Sequence, residues 1–288
     1  MKSLKFIKVK TLPKTLSFLS VNRNKCKIIA GGTDLIIQLR NKNSRNEKIE
    51  FIIDISHLAE LKGISFHKKY CSIGANTTFS EIIKSKKMQD NFPLLWNASK
   101  KIGSPQIRNI ATIGGNICNL ASAADSIPPL LVYDAKMKIV SSKDEKLIPL
   151  EKILKSPQKI DLQHNQIISE IIMPINDEDK SAQTKFYKLG RRKGMSVSRM
   201  SFAILLKINE KNRIADFRIA AGAIFQIPKR LYKIEKDVKG KIFGDKLCKK
   251  ISVNVGKQVL SETGIRWSTP YKLPTLQQVL YKILIDFL

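Results

Sequence analysis

The residues with the clearest chemical content lie in the stretch Ser104 to Leu131, which reads SPQIRNIATIGGNICNLASAADSIPPLL. It holds Thr112, Ile113, the paired Gly114 and Gly115, and Asn116, then Asp125 nine residues later and Pro128-Pro129 before another apolar run. Adjacent glycines let a backbone pass close to a ligand and aim successive N–H groups at one point, which suits a phosphate. Thr112 and Asn116 add side-chain donors to the same loop. A second loop of this chemistry, Ala30 to Asp34, lies upstream in IIAGGTDL. A lone Gly-Gly is most often a tight turn. Two such loops in one chain point instead to a long phosphate ligand held at two places, such as a dinucleotide. The spacing is not the G-x-G-x-x-G of the Rossmann fingerprint.

These loops need elements to hold them. Phe6 to Val9 reads as a strand, and Pro13 opens a helix carrying Leu16, Phe18 and Leu19. Lys27 to Ala30 is a buried-type strand that delivers the first loop, with Asp34 capping a helix through Leu35, Ile36 and Leu39. Strand, glycine loop and helix in this order bring helix N–H groups toward a phosphate. Phe51 to Ile55 forms another strand. Ile64 and Phe66 alternate up to a turn at His67 to Lys69, and the chain returns through Tyr70 to Ile73. A helix through Phe79, Ile82 and Ile83 is capped by Thr78 or Ser80. Leu94, Leu95, Ala98 and Ile102 mark a helix running into the central stretch.

Ala135 to Val140 is a strand, Pro149 to Leu154 a short helix, and Ile167 to Met173 a strand stopped by Pro174. Asn176 to Ser181 reads as an exposed connection between domains. Beyond it, Phe202, Ile204, Leu206 and Ile208 alternate as a strand, with Phe217, Ile219 and Ala221 as its hairpin partner. Leu247, Ile251, Val255 and Val259 share one helix face, and Leu276 to Phe287 gives an amphipathic helix. Mixed strands and helices argue α/β or α+β, not a bundle. The second domain is a small antiparallel sheet with helices on one side.

At 288 residues the chain suits two or three subdomains, and 43% apolar content allows a sizeable core. Its 52 basic against 24 acidic residues give a charge of +28, which on its face favours a polyanion. The excess is mostly scattered Lys without interleaved aromatic stacking platforms, so a solvated basic surface facing an acidic partner subunit is the better reading, with no nucleic acid. Cys26, Cys71, Cys118 and Cys248 form no C-x-x-C pair, which argues against a zinc or iron–sulfur site in this chain. Met1 to Ser20 lacks a signal-peptide core, and no run approaches a membrane span, so a soluble cytoplasmic protein without membrane insertion is expected.

The texts AGGTDL, IGANTTFSEI and QIRNIATIGGN, followed by Asp125 to Leu131, resemble the FAD-binding (medium) subunit of molybdenum hydroxylases, the xanthine dehydrogenase and carbon monoxide dehydrogenase family. The similarity runs over nearly the whole chain. It implies an α+β fold, with an FAD-binding domain of the PCMH or vanillyl-alcohol-oxidase-like type over 1–176, itself two subdomains of about 1–57 and 58–176, and a C-terminal α+β domain over 182–288. By the resemblance, FAD is held by Ile28, Ile29, Ala30, Gly31, Gly32, Thr33, Asp34 and Leu35, by Thr112, Ile113, Gly114, Gly115 and Asn116, and by Asp125, Ile168 and Lys188. Asp would accept from ligand hydroxyls or amides, Ile pack on the flavin, and Lys supply a charge favouring its reduced anionic form. Taken alone, Asp125 reads as a helix cap and Lys188 as a solvated surface lysine.

The resemblance further implies an oxidoreductase whose partners are a molybdopterin-binding large subunit and a small [2Fe-2S] subunit. Electrons from those clusters pass through FAD to an acceptor such as NAD+, and this chain alone hydroxylates nothing. No catalytic residue or metal ligand is assigned to it. Ala121-Ser122 stands where relatives often have Ser-Pro, which alters loop stiffness but leaves Asp125 in place. Two other readings stay open: a basic binding or assembly protein on a flavin fold that has lost redox function, and a stand-alone flavin reductase. His57, His67 and His164 are isolated and receive no role. Trp96 and Trp267 read as packing residues, Trp267 also as one that approaches a partner or the flavin. Arg191 to Lys193 is a basic turn without an assigned role, and the substrate of the complex, whether purine, nicotinate or carbon monoxide, is not legible.

Overall fold

The computed structural model describes residues 4–40, 49–192 and 194–288. The chain begins with β1 (Lys5–Lys8), α1 (Leu12–Asn22), β2 (Cys26–Ile29), α2 (Leu35–Arg40) and β3 (Phe51–Asp54). The hairpin β4 (Ile64–Phe66) and β5 (Tyr70–Gly74) leads into α3 (Phe79–Lys84), α4 (Lys86–Asn91), α5 (Pro93–Lys100), α6 (Pro105–Ile110), α7 (Ile113–Asn119) and α8 (Ile127–Val132). Next come β6 (Lys136–Val140), β7 (Glu145–Pro149), α9 (Leu150–Ile153), β8 (Leu154–Ser156), β9 (Lys159–Ile160) and β10 (Ile167–Pro174). The C-terminal part comprises β11 (Gln183–Gly190), β12 (Ser198–Ile208), β13 (Ile214–Gly222), β14 (Lys229–Arg230), α10 (Tyr232–Val238), α11 (Asp245–Thr263) and α12 (Thr269–Ile285).

Two compact units result. The first gathers Met1–Ser85, Ile102–Leu120 and Asp134–Ile175; the second gathers Lys86–Lys101, Ala121–Tyr133 and Asn176–Leu288. In the first unit, β1, β3 and β2 form a parallel sheet in that order, and β4-β5-β10-β6-β7 form an antiparallel one. Leu16 and Leu19 of α1 pack with Ile53 of β3, Leu58 and Leu61 to make a core under the parallel sheet. Local chemistry sets the helix ends: Thr11 caps α1, whose first turn takes Pro13, and Thr78 with Glu81 forms a reciprocal capping box on α3.

The second unit is built on the sheet β11-β12-β13-β14. Phe202 pairs with Ala221, Ile204 with Ile219 and Leu206 with Phe217, the register that their alternation predicts. These side chains meet Ile251 and Val255 of α11 and Leu276, Leu280 and Ile283 of α12 in one core. Helix α8 packs against β12 and β13, and all six of its residues are buried. An apolar, proline-rich segment of this kind is stable only when covered on every side.

Three expectations need correction. The Thr112–Asn116 segment is not a loop: Thr112 caps α7, and both glycines lie in its first turns. Asn176 to Ser181 is mostly exposed, as expected, and Asp177–Ser181 forms a 3-10 turn whose Asp179 makes a two-pronged contact with Arg218 at 3.0 and 3.1 Å. Helix α12 starts at Thr269, ahead of the expected apolar run, and keeps Pro274 inside it. Trp267 is 94% exposed and packs on nothing, because it sits in the turn before α12 and not on a helix face. Lys193 of the basic turn lies outside the described residues.

Candidate functional site

Strand β2 delivers Ala30 and α2 starts at Leu35, so Gly31 to Asp34 makes the strand-to-helix turn. Gly32 adopts φ +70°, a conformation that glycine takes without steric cost. Among the described residues, no protein acceptor meets the backbone N–H groups of Gly31, Gly32 or Thr33. Three consecutive open donors are available to an anion. A Cβ at Gly31 would stand 1.9 Å from the Ile110 carbonyl oxygen and 3.1 Å from Ala111 Cα. Glycine thus lets this turn lie directly against the residues that precede Thr112.

The second glycine pair does a different job. Ile113 N–H donates to Thr77 O at 3.0 Å, Gly114 N–H to Ala75 O at 2.9 Å, and Asn116 N–H to Thr112 O at 3.0 Å. Gly115 N–H donates to Thr112 Oγ1 at 3.1 Å. With these donors consumed, Thr112 to Asn116 is not the backbone cradle that its glycines predict. Gly114 is required for packing, since a Cβ there would meet the Ala75 Cβ at 2.7 Å, whereas Gly115 is exposed on the helix. Three sequence motifs therefore converge: the turn at Gly31, the Ala75–Thr78 segment, and α7.

Side chains fasten α7 to α2. Asn119 Nδ2 donates to Asp34 Oδ1 at 3.0 Å, and Gln38 Nε2 donates to Asn119 Oδ1 at 2.9 Å. Thr33 Oγ1 donates to the other Asp34 oxygen at 3.1 Å. The Asp34 carboxylate is thereby engaged by its neighbours. Sequence reading missed Asn119 and Gln38, and no local signal marks them, because they meet only in the folded chain. Beside the turn, Ile36 is 42% and Ile110 51% exposed, which leaves apolar surface next to the open N–H groups. Open backbone donors beside exposed isoleucines suit a dinucleotide, whose pyrophosphate needs donors and whose ring systems need apolar cover. Ile28 and Ile29 lie half-buried on β2, and Leu35 starts α2. Ile168, opposite Ile139 on β10, is only 2% exposed, so its side chain belongs to the core.

Asp125 and Lys188 belong to the second unit, where they bind each other. Lys188 Nζ donates to Asp125 Oδ2 at 2.6 Å and to Lys101 O at 2.8 Å, and Ser198 Oγ donates to Asp125 Oδ1 at 2.5 Å. Burial pushes the Asp125 carboxyl up from its ordinary value, against the opposing pull of the Lys188 ammonium and the Ser198 hydroxyl. Lys188 is thus not a solvated surface lysine. Ser198 was not singled out from the sequence, though its pairing across from Gly190 puts it at the end of the same β11–β12 ladder. Among the described residues no cluster of His, Cys, Asp and Glu is suited to a metal, and no helix is long and apolar enough to cross a membrane.

Comparison with known proteins gives a consistent result. Residues 2–176 match the family described as the FAD binding domain in molybdopterin dehydrogenase, and residues 185–287 match the CO dehydrogenase flavoprotein C-terminal domain. The chain is 32% identical over 277 residues to a putative xanthine dehydrogenase FAD-binding subunit of Escherichia coli (strain K12), covering 96% of this chain and 93% of that protein. It is 31% identical to the glyceraldehyde dehydrogenase medium chain of Sulfolobus acidocaldarius, covering 93% and 92% of the two chains. It is 28% identical to the nicotinate dehydrogenase FAD-subunit of Eubacterium barkeri, covering 100% and 97%. In fold it is similar to a chain of carbon monoxide dehydrogenase from Hydrogenophaga pseudoflava, with a TM-score of 0.87, 23% identity, and coverage of 97% and 95%.

Proposed function

Because this chain belongs to the family of FAD-binding domains of molybdopterin dehydrogenases, we propose that it is the electron-transfer flavoprotein subunit of a cytoplasmic molybdenum hydroxylase. In this reading electrons leave the [2Fe-2S] clusters of a small partner chain, after substrate oxidation in a molybdopterin-binding large chain, and pass through FAD in this chain to an acceptor such as NAD+. FAD, when bound, supplies the exchange between single-electron and paired-electron transfer. The contributions of the protein are binding, orientation and exclusion of water. The Gly31, Gly32 and Thr33 N–H groups take the pyrophosphate, Ile36 and Ile110 cover ring surface, and α7 holds the turn in place through Asn119. Ile28, Ile29, Ala30, Asp34 and Leu35, Thr112 to Asn116, and Asp125, Ile168 and Lys188 are the further proposed FAD residues. The stretches 1–176 and 182–288 are proposed as its two sequence modules, a reading supported by the two family matches.

The row of three open N–H groups at Gly31 to Thr33 carries the proposal. Two substitutions at Gly32 test it. Gly32→Asn and Gly32→Asp place side chains of nearly equal size in the same left-handed backbone, and only the second brings negative charge to the open donors. The purified chain is incubated with FAD, desalted, and read by its flavin absorption. Retention in the parent, partial retention in Gly32→Asn and loss in a still-folded Gly32→Asp are expected. Equal retention in the two variants would remove the pyrophosphate from this turn.

A further inference from the structure

Between α11 and α12 the sequence Gly264-Ile265-Arg266-Trp267-Ser268 turns the chain through solvent. Ile265 is 84% and Trp267 94% exposed, and Tyr271 in the first turn of α12 is 54% exposed. The turn is nevertheless held in shape. Arg266 N–H donates to Thr269 Oγ1 at 2.8 Å, Arg266 Nε donates to Thr263 O at 3.3 Å, and Thr269 N–H donates to Arg266 O at 2.9 Å. Large apolar side chains fixed in water carry a standing cost that burial against another surface would recover.

The charge around this turn is one-sided. Residues 263–275 contain no Asp or Glu. The Arg199 guanidinium lies 5.8 Å from the Tyr271 ring centroid, and Lys272 Nζ meets only the Ala223 carbonyl, at 3.4 Å, among the described residues. Burial, then the nearby charges of Arg199 and Arg266, push the Lys272 ammonium down from its ordinary value. No acidic residue occupies the first turn of α12, so the positive end of that helix adds to the three cations unopposed. Among the described residues no carboxylate pairs with Arg199, Arg266 or Lys272, and the neighbouring Glu262 is bound to Lys229 at 2.6 Å.

We propose that this turn is a docking knob for a partner protein, with Trp267 and Ile265 entering an apolar socket and carboxylates on the socket rim facing Arg199, Arg266 and Lys272. Trp and Arg at the centre of a preorganised projection are the residue types that dominate binding energy at protein interfaces. A nucleotide is the poorer match, because small ligands need a concave site and these side chains project outward. The partner is a chain of the same complex, so the inference rests on the subunit reading above.

The experiment uses the full chain loaded with FAD and, as the probe, the molybdopterin-binding and [2Fe-2S] chains purified from co-expression. Association is measured for the parent, Trp267→Ala and Arg266→Glu, with flavin content and thermal melting as checks that each variant is folded. At least about a tenfold weakening is expected for Trp267→Ala. Arg266→Glu should weaken binding similarly and flatten its salt dependence. Parent-like association of both variants overturns the knob and leaves the subunit reading intact. Failure of the flavin-loaded parent to associate overturns the subunit reading and the knob with it. Self-association, or binding of a DNA oligonucleotide, that Trp267→Ala abolishes without the other chains present would assign the knob to another occupant and overturn the acidic-partner proposal.

Discussion

The Lys188 ammonium lies 2.6 Å from Asp125 Oδ2, and the two side chains are 8% and 5% exposed. So deep a pair has lost most of its hydration, and each charge depends on the other. Removing one partner leaves a buried charge and costs about 3–5 kcal/mol, whereas replacing both by neutral groups costs much less. Lys188→Met is therefore expected to lower the unfolding free energy by about that amount, and Lys188→Met with Asp125→Asn to recover most of it. A double-mutant cycle by chemical denaturation decides the matter. Additive losses would mean that the two charges do not depend on each other.

The glycines of the site differ in what they tolerate. Alanine at Gly31 drives a methyl group into the Ile110 carbonyl, at 1.9 Å, and displaces backbone. A loss of about 1–3 kcal/mol or more is expected, with weakened flavin retention. At Gly115 the only near atom is Thr112 Oγ1, at 2.9 Å, and alanine favours the helix, so stability should stay within about 1 kcal/mol of the parent. Thermal melting of the two variants side by side tests this, and equal losses would contradict the difference in packing.

Tyr133 buries its hydroxyl to accept the Leu94 N–H at 3.1 Å while its ring meets Phe92 edge-on at 5.1 Å. Tyr133→Phe keeps the ring contact and leaves a buried N–H without its acceptor. The expected cost is about 1–3 kcal/mol. Hydrogen exchange offers a second readout, in which the Leu94 amide loses protection before its neighbours do. Unchanged protection would show that another acceptor replaces the hydroxyl.

Burial pushes the Cys71 thiol up to about 12 and the Cys248 thiol up to about 11, from an ordinary 9.0. Between 9.0 and these values the unfolded chain releases protons that the folded chain keeps, so stability falls as pH rises. Well below pH 9.0 both states hold the proton and the contribution vanishes. Each thiol should add about 1.4 kcal/mol of loss per pH unit once its unfolded form is ionised. Cys71→Ala should flatten the alkaline limb of the stability profile, and a slope identical to the parent's would show that this thiol ionises alike in both states.

The β12–β13 hairpin, though not the burial of Ala203 and Leu205 on its other face, was legible because Phe202 to Ile208 and Phe217 to Ala221 alternate, and the observed pairs are those that the alternation predicts. Helix α7 was not. Its two glycines weaken any local helical signal, and its first turn is completed by Thr77 and Ala75, more than thirty residues upstream. The bond between Gln38 and Asn119 spans 81 positions, so neither residue has a neighbour in sequence that betrays its task. Trp267 failed for the opposite reason. Its type implies burial, and only the course of the turn before α12 reveals that it stands in water. The order strand, glycine pair, helix around Gly31 was legible because the three follow one another directly, whereas the contacts of Gly31 with Ile110 and of Asp34 with Asn119 come only with tertiary structure.

Helix α8 has every residue buried, and although α5 touches it, most of its cover comes from the sheet strands β12, β13 and β14, which begin more than sixty positions later. A ribosome that has released residues 127–132 has therefore exposed an apolar, proline-rich segment whose upstream neighbour α5 is made but whose larger cover, the sheet, has yet to be synthesised. Completion of the second unit must wait for the C-terminal chain, and the nascent protein carries a sticky intermediate through translation. Trigger-factor-like holdases would find their foothold there, and a fragment ending at residue 176 would present the same segment permanently, as an invitation to aggregate.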